Sequence, residues 1–194
     1  MERQVDSTNQ METTIGVTAL AVIDLQPVFL DMMSNAKQFR RRCSLLLETA
    51  ELLGVRTYLT EQVPDKLGAF DEELAGLAPS AKCFAKSSFS AFGAESFEET
   101  LRSQGVEHLL LAGVETSICV YQTALDARRS GLAVTTLTDC VSCRRPTDGH
   151  WAMKALLDAG CHALSLETVF YALLGDARNP CFRDFSKLVQ RYDA

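Results

Sequence analysis

The sequence predicts one α/β domain, built on an open, doubly wound and mostly parallel sheet of six strands with helices on both faces. Near-continuous apolar runs, typical of strands that are buried on both sides, recur along the chain. Segments with helical spacing separate these runs, and such alternation indicates parallel βαβ units. The 194 residues suffice for one well-buried domain, and no internal repeat or Pro/Gly-rich linker divides them.

The first half of the chain is expected to hold three strands. Residues 1–15 are polar and predict a disordered tail, which leaves residues 16–194 for the domain. The predicted elements are a strand at Val17–Leu25, a helix at Ser34–Gly54, a strand at Val55–Thr60, a loop at Glu61–Ser80 with one helical turn at Asp71–Leu74, and a strand at Lys82–Lys86. Gly54 is a good C-cap for the long helix because glycine adopts the left-handed conformation at little cost.

The second half repeats this alternation. A turn over residues 87–92 follows the third strand. The predicted elements are a helix at Ser96–Gly105, a strand at His108–Ala112, a helix from Val120 to Gly131, a strand at Ala133–Leu137, a helix at Thr147–Ala159, a strand at His162–Leu166, and helices at Thr168–Leu174 and Cys181–Arg191. Strands at this spacing predict a sheet whose ligand lies beyond the C-terminal ends of its strands.

One cysteine, Cys119, lies where the fourth predicted strand passes into a helix. The free N–H groups and positive dipole end of a helix N-terminus favour a thiolate, and the same N–H groups can stabilise an oxyanion. A buried cysteine that acts as a small hydrophobic residue fits this position equally well. Position alone therefore leaves the role of Cys119 open.

Four polar residues mark the C-terminal ends of predicted strands. They are Asp24, Lys86, Cys119 and Asp139. In a parallel sheet these ends share one rim, so we expect the four side chains to lie close together. A carboxylate there could accept the proton of the thiol, and a lysine would keep that carboxylate ionised and lower the pKa of the thiol.

Composition excludes several classes of function. The formal net charge of −6 argues against a basic surface for binding nucleic acid or an anionic membrane. No apolar run reaches the length of a membrane span. Seven cysteines, an odd number, occur without a secretory signal, so we expect a reducing intracellular compartment. The cytoplasm is the first choice, and a mitochondrial location stays open. The expected partner is a small-molecule substrate, with no nucleic acid, no membrane and no cofactor.

Three motifs together resemble the isochorismatase-like, or cysteine hydrolase, superfamily. They are AVIDLQPVF at 21–29, FAKSSFSAF at 84–92 and AGVETSICVYQTALDARRSG at 112–131. The resemblance covers Thr18 to Val189 and is closest to the isochorismatase-domain branch whose substrates are poorly defined. It implies a Rossmann-like, three-layer version of the predicted fold, and a homodimer or larger homo-oligomer.

The resemblance also implies a mechanism. The family's aspartate, lysine and cysteine correspond to Asp24, Lys86 and Cys119. In the family the cysteine attacks an amide or related carbonyl carbon, the aspartate moves the proton, and water hydrolyses the resulting thioester. A non-proline cis peptide, which would be Val114–Glu115 here, aims the backbone N–H groups of Glu115 and Cys119 at the oxyanion. The implied function is a metal-independent cysteine hydrolase acting on a small amide, imide or related acyl compound.

Two departures narrow this resemblance. Nicotinamidase-like members hold a metal with an aspartate and histidines after the second strand, whereas the corresponding segment here, YLTEQVPDKLGAF, contains no histidine. The three histidines, His108, His150 and His162, are not spaced as ligands, so we expect no metal. True isochorismatase cleaves an enol ether without a cysteine, and Cys119 therefore argues against that activity.

The substrate pocket is predicted from residues close to the triad. The expected lining residues are Gln26, Phe29, Phe89, Phe92, Glu115 and Tyr121. Phe89 and Phe92 are favoured because they directly follow Lys86 and cannot both be buried in a strand. Large aromatic side chains are nevertheless more often part of a core.

Several alternatives stay open. Cys140 and Cys143 match C-x-x-C, but they lie in a late loop without a second pair of ligands, so a redox or zinc role is the less favoured interpretation. Arg144 and Arg145 could bind an anionic substrate or could simply be solvated. The whole protein could instead be a weakly active scaffold that binds other proteins, and a nuclease or RNA-associated role is a third, poorly supported hypothesis.

Overall fold

The computed structural model describes residues 14–193, and its centre is a parallel six-stranded sheet with strand order β3-β2-β1-β4-β5-β6. The strands are β1 Thr18–Ile23, β2 Arg56–Gln62, β3 Lys82–Lys86, β4 His108–Val114, β5 Ala133–Ser142 and β6 His162–Leu164. The chain first builds the sheet outward from β1 to β3 and then returns to add β4 on the other side of β1. The predicted α/β class is confirmed, and β1 and β4 flank the switch point where ligands bind in such sheets.

Helices cover both faces of the sheet. The helices are α1 Pro27–Leu30, α2 Ala36–Leu53, α3 Pro64–Leu67, α4 Glu72–Ala75, α5 Phe97–Ser103, α6 Tyr121–Arg129, α7 Pro146–Asp158, α8 Leu166–Leu174 and α9 Phe182–Asp193. A 3₁₀ turn at Ala91–Gly93 and a π-helical turn at Thr116–Val120 complete the elements. Across residues 14–193, no helix combines the length and the apolar character that crossing a membrane would require.

Two buried clusters, one on each face, hold the layers together. Alternation along β1 sends Leu20 and Val22 into the cluster under α2, α8 and α9, and sends Ala19 and Ala21 into the cluster under α5, α6 and α7. The four β1 residues are completely buried. Burial on both faces explains why these strands appear as continuous apolar runs in the sequence.

The long helix α2 illustrates how the sequence sets an element boundary. Its predicted C-cap, Gly54, adopts the left-handed conformation with φ of 68°, and its N–H reaches the carbonyls of Ala50 and Glu51. The buried face of α2 includes Phe39, Cys43 and Leu46, all part of the predicted apolar face. The boundary therefore follows from local chemistry, and the burial follows from helical spacing.

Most element ends differ from expectation by one or two residues, and three differences are larger or bear on the extent of the fold. The Glu61–Ser80 segment contains the end of β2 and two short helices, where a loop with one helical turn was expected. β5 continues to Ser142, five residues beyond its predicted end. Much of the expected tail lies outside the described residues, but Thr14 and Ile15 are helical and Ile15 is buried, so the folded part begins no later than residue 14.

Candidate active site

Asp24 directly follows β1 and has an unusual backbone conformation, with φ of 53°. Aspartate tolerates this left-handed region better than most residues. The conformation is fixed by the N–H of Asp24, which donates to the carbonyl and to the side-chain oxygen of Thr60, both at 3.2 Å. The Thr60 hydroxyl in turn donates to Asp24 Oδ1 at 2.7 Å. The carboxylate is thus buried and fixed in orientation, with Oδ2 left for other partners.

Lys86, the last residue of β3, supplies the nearest positive charge to Asp24. Its completely buried Nζ donates to Asp24 Oδ2 at 2.7 Å, to Gln62 Oε1 at 2.6 Å and to the Ser88 carbonyl at 3.3 Å. These acceptors use all the protons of an ammonium group. Since an unpaired buried charge is strongly unfavourable, the two side chains stabilise each other in their ionised forms.

Cys119 lies within the π-helical turn that joins β4 to α6, and its side chain is buried beside Asp24. Burial and the negative charge of Asp24 raise the pKa of the thiol to about 12, although Lys86 opposes this shift. The Asp24 carboxylate also contributes to this rise as a hydrogen-bond acceptor, while the backbone of Glu115 lowers the pKa of the thiol. The resting group is therefore a thiol that lies beside the Asp24 carboxylate.

This protonation state corrects a prediction. The sequence indicated a cysteine whose thiolate is favoured by a helix N-terminus and by Lys86. Lys86 does act in the expected direction, but desolvation outweighs it. The arrangement accordingly suits a nucleophile that loses its proton to Asp24 as it attacks, as in general base catalysis.

We expect iodoacetamide to alkylate Cys119 slowly at neutral pH. The thiolate is the reacting form, so a pKa near 12 reduces its population about 10³-fold, and its greater intrinsic nucleophilicity restores only about 20-fold. The rate should be about 50-fold below that of a free cysteine peptide at pH 7.5. The alkylation rate of Cys119 should still rise between about pH 9 and pH 11, a range in which the rate for the free cysteine peptide has levelled off. Mass spectrometry of digested protein measures this rate, and a plateau near pH 9 would contradict the assigned environment.

The turn before Cys119 contains a second ion pair. The peptide bond between Val114 and Glu115 is cis, at the position that the resemblance implies. The Glu115 side chain is mostly buried and accepts Arg144 Nε at 2.7 Å and the Arg144 backbone N–H at 3.0 Å. The turn that carries Cys119 is thereby tied to the loop between β5 and α7.

A cavity of about 220 Å³ opens onto the thiol. Its lining residues are Asp24, Phe29, Met32, Gln62, Phe89, Val114, Glu115, Ile118, Cys119 and Arg144. Phe29, Phe89 and Glu115 therefore lie where the sequence placed them. Phe89 is 55% exposed and stands at the mouth.

Three expected pocket residues do not line this cavity. The amide of Gln26 is buried and used internally, with Nε2 donating to the Gln62 and Gly68 carbonyls and Oε1 accepting the Gln62 N–H. Phe92 turns inward and stacks edge-on against Phe97, with the ring centroids 5.4 Å apart. Tyr121 packs against the cluster under α6. Each is adjacent to the site in sequence but oriented toward the protein interior.

Sequence reasoning also missed lining residues. Gln62 is the last residue of β2, so its position on the same rim as Asp24 and Lys86 could have identified it. Met32 and Ile118 have no comparable signal, because their side-chain directions depend on the tertiary arrangement of short turns. In the sequence Arg144 is one of two adjacent loop arginines, and nothing distinguishes it from Arg145 as a lining residue.

Asp139 does not belong to this site, contrary to expectation. The pairing of β5 with β4 jumps from Thr136 to Val141, and Asp139 lies in this irregular stretch. Its Oδ2 accepts Arg42 Nη2 at 2.6 Å. A larger cavity of about 530 Å³ lies beside this pair, but the Arg42 charge is already matched by three carboxylates, those of Asp139, Glu167 and Asp193.

A metal does not fit the described residues. No group of three or more His, Cys, Asp or Glu side chains within residues 14–193 could hold an ion. Near the end of β2, in the segment that lacks histidine, the Glu61 carboxylate accepts the Phe70 N–H. His108 hydrogen-bonds Thr135 Oγ1 at 2.8 Å.

The C-x-x-C cysteines lack the features of a redox site. The thiols of Cys140 and Cys143 are free, buried and directed to different backbone carbonyls, those of Arg42 and Arg145. Burial raises the pKa of both thiols. The two thiols donate to separate backbone carbonyls, and this arrangement favours a structural role for both residues.

Comparison with known proteins places this geometry in context. The sequence profile described as Isochorismatase domain matches residues 18–168. Isochorismatase domain-containing protein 2 of Bos taurus is 35% identical over 177 residues, covering 90% of this chain and 84% of that protein. The MAR1 ribonuclease structure from Caenorhabditis elegans is 32% identical with a TM-score of 0.84, covering 89% of each chain. The YcaC gene product of Escherichia coli, described as an octameric hydrolase of unknown specificity, is 25% identical with a TM-score of 0.82, covering 92% of this chain and 95% of its own.

Proposed function

The chain belongs to the isochorismatase family, and from this premise we propose that it hydrolyses a small amide, imide or related acyl compound through a covalent intermediate on Cys119. One observation carries the proposal. A single buried carboxylate, Asp24, pairs with the Lys86 ammonium and lies beside the Cys119 thiol, and both Asp24 and Cys119 line a small cavity. Such an arrangement supplies a nucleophile, its base and a compensating charge.

The first half of the proposed reaction forms a thioester. Asp24 accepts the thiol proton as the Cys119 sulfur attacks the substrate carbonyl carbon, and the carbonyl oxygen becomes an oxyanion. The C–N bond then breaks, and Asp24 returns the proton to the departing nitrogen. Lys86 stays protonated throughout and limits the cost of the negative charge on Asp24.

The second half hydrolyses the thioester. Asp24 accepts a proton from water as the water oxygen attacks the acyl carbon. The C–S bond breaks, the carboxylic acid leaves, and the proton returns to the sulfur. Every proton removed in one half is returned in the same half, so the cycle needs no redox partner.

The oxyanion is assigned to backbone N–H groups of the Val114–Cys119 turn. The backbone of Glu115 already hydrogen-bonds the sulfur, which supports its proximity to the reacting carbon. The N–H of Cys119 is the second donor that the family resemblance implies. Donors held in place before the reaction stabilise developing charge without reorganisation.

The cavity limits the size of the substrate. Its volume of about 220 Å³ lies below the ~300–1,000 Å³ typical of sites for drug-sized ligands. Apolar side chains, including Phe29 and Ile118, form much of the wall. We therefore assign a compact substrate of about ten non-hydrogen atoms.

The test is hydrolysis of a panel of small primary amides and cyclic imides. Ammonia release reports turnover of the amides, and ring opening reports turnover of the imides. Cys119→Ala should abolish turnover, whereas Cys83→Ala, which removes an exposed thiol outside the cavity, should leave it intact. Turnover that survives Cys119→Ala would overturn the proposal.

The ribonuclease activity named for the C. elegans protein is not carried over to this chain. A net charge of −6 opposes binding of a polyanion. Cleavage of a labelled RNA by the wild type that Cys119→Ala abolishes would favour the ribonuclease over the amide hydrolase.

We assign self-association to the edge of the sheet at β6. The E. coli relative is described as octameric. Trp151, Leu157 and Leu164, on α7 and β6, are 59%, 50% and 41% exposed, and exposed apolar side chains next to an edge strand favour contact with another chain. Light scattering should give a multiple of the 21.3 kDa chain mass, which Leu164→Glu lowers. A monomer at micromolar concentration would contradict this assignment.

A further inference from the structure

Arg144 occupies a distinctive position at the candidate site. It lines the cavity that opens onto Cys119, and its side chain is 50% exposed. Glu115 accepts its Nε and its backbone N–H, so one edge of the guanidinium is held in a fixed direction. An arginine held by one carboxylate retains further donors for a second acceptor, because its guanidinium carries five N–H groups.

The remaining Arg144 donors are available to a ligand. Within residues 14–193, the two terminal nitrogens of Arg144 have no hydrogen-bond partner. Lys86 cannot play this part, since its three protons already point to Asp24, Gln62 and Ser88. Of the described residues that line the cavity, Arg144 is the cation.

The rest of the cavity wall includes apolar side chains, those of Phe29, Val114 and Ile118. The side-chain oxygen of Gln62 accepts from Lys86, and one of its side-chain N–H groups donates to the Ser87 carbonyl. A ligand that fills the cavity therefore meets the Cys119 sulfur, the Arg144 guanidinium and apolar side chains. This pattern suits a bifunctional molecule with a short apolar spacer.

We propose that Arg144 binds a terminal carboxylate of the substrate, so that the substrate class is short acyl or amide compounds with an anionic group at the far end. The inference rests on the proposed function and adds a specificity-determining residue to it. A guanidinium pairs with a carboxylate through parallel hydrogen bonds, which fix orientation as well as adding affinity. The Glu115 carboxylate has a positioning role, because it accepts Nε and the backbone N–H of Arg144 and so holds the guanidinium in place.

The test uses two thiol probes that differ in charge at one end. N-acryloylglycine carries a carboxylate, and N-acryloylglycinamide is its neutral counterpart. In each case the Cys119 sulfur bonds to the terminal alkene carbon, and the neighbouring carbon receives the thiol proton. Site-resolved mass spectrometry gives the rate for each probe, and the ratio of the anionic to the neutral rate measures recognition of charge.

In the wild type this ratio should exceed that of a free cysteine peptide by about tenfold. Arg144→Gln should remove that preference, and Arg144→Lys, which keeps the charge but not the parallel hydrogen bonds, should retain part of it. Arg145→Gln is the matched control, because Arg145 is 82% exposed, pairs with Asp148 and lies outside the cavity lining. Circular dichroism confirms that each variant is folded.

The outcomes separate this inference from the function on which it rests. Cys119 labelling that depends on Asp24, combined with an equal ratio in wild type and Arg144→Gln, overturns the role of Arg144 and leaves the hydrolase proposal standing. Failure of both probes to label Cys119 in the wild type contradicts the proposed nucleophile and the inference together. A ratio that falls equally in Arg145→Gln would show a general effect of loop charge and would also overturn the assignment.

Discussion

Asp24→Asn should slow the reaction of Cys119 with N-acryloylglycinamide by about 10³-fold, within the range that general acid–base catalysis contributes. The substitution keeps the shape of the side chain and an oxygen for Lys86, but it removes the group that accepts the thiol proton and delivers it to carbon. The same substitution should speed alkylation by iodoacetamide. The charge and the hydrogen bond of Asp24 both raise the pKa of the Cys119 thiol, so their loss makes the thiolate more abundant.

These opposite directions make the experiment specific. A variant that merely misfolds would change both rates in the same direction, because its thiol would simply become exposed. Asp65→Asn is the control, since Asp65 is an exposed carboxyl on α3 outside the cavity. If the rate of Cys119 with N-acryloylglycinamide were unchanged in Asp24→Asn, Asp24 would be excluded as the base.

Gly113→Ala should be the most damaging small substitution in the sheet. Gly113 in β4 has φ of 109°, and a Cβ there would lie 2.1 Å from the Ile23 carbonyl oxygen and 2.5 Å from the Ile23 nitrogen. These are backbone atoms of the neighbouring strand, so no side-chain rotation relieves the clash. We expect a loss of about 4 kcal/mol or more in the free energy of unfolding, measured with urea, or no soluble protein.

Two other glycines provide matched controls for this stability measurement. Gly54→Ala meets no atom within 4 Å but has φ of 68°, so it should cost about 1 kcal/mol. Gly16→Ala meets no atom within 4 Å and Gly16 has no positive φ, so the free energy of unfolding should be nearly unchanged. An equal free energy of unfolding for Gly113→Ala and Gly54→Ala would contradict the close approach of β4 to β1. This approach sets Asp24 beside Cys119.

The grouping of Asp24, Lys86 and Cys119 on one rim could be predicted because it follows a rule of parallel sheets. Asp24 directly follows β1, Lys86 ends β3 and Cys119 lies in the turn after β4, and the C-terminal ends of these strands share one rim. The motifs then gave the three positions roles by family resemblance. Asp139 shows the limit of the rule, because β5 runs past its predicted end and an irregularity turns that carboxylate toward Arg42.

The protonation state and the pocket wall could not be predicted in the same way. Whether Cys119 is a thiol or a thiolate depends on desolvation, which is a property of the assembled interior. Phe89 and Phe92 are three residues apart, yet one stands at the mouth of the cavity and the other packs on Phe97. Spacing within a turn does not determine which of two aromatic rings faces the ligand.

The most direct test of the central claim is to trap the acyl group on Cys119. Wild-type protein is mixed with short monoamides of dicarboxylic acids, quenched in acid within seconds, and analysed by intact mass and peptide mapping. We expect a transient mass increase equal to the acyl part of the amide, located on Cys119, removed by hydroxylamine and absent in Cys119→Ala. Ammonia release without any adduct on Cys119, or at an equal rate in Cys119→Ala, would contradict it, as would inertness toward the whole series.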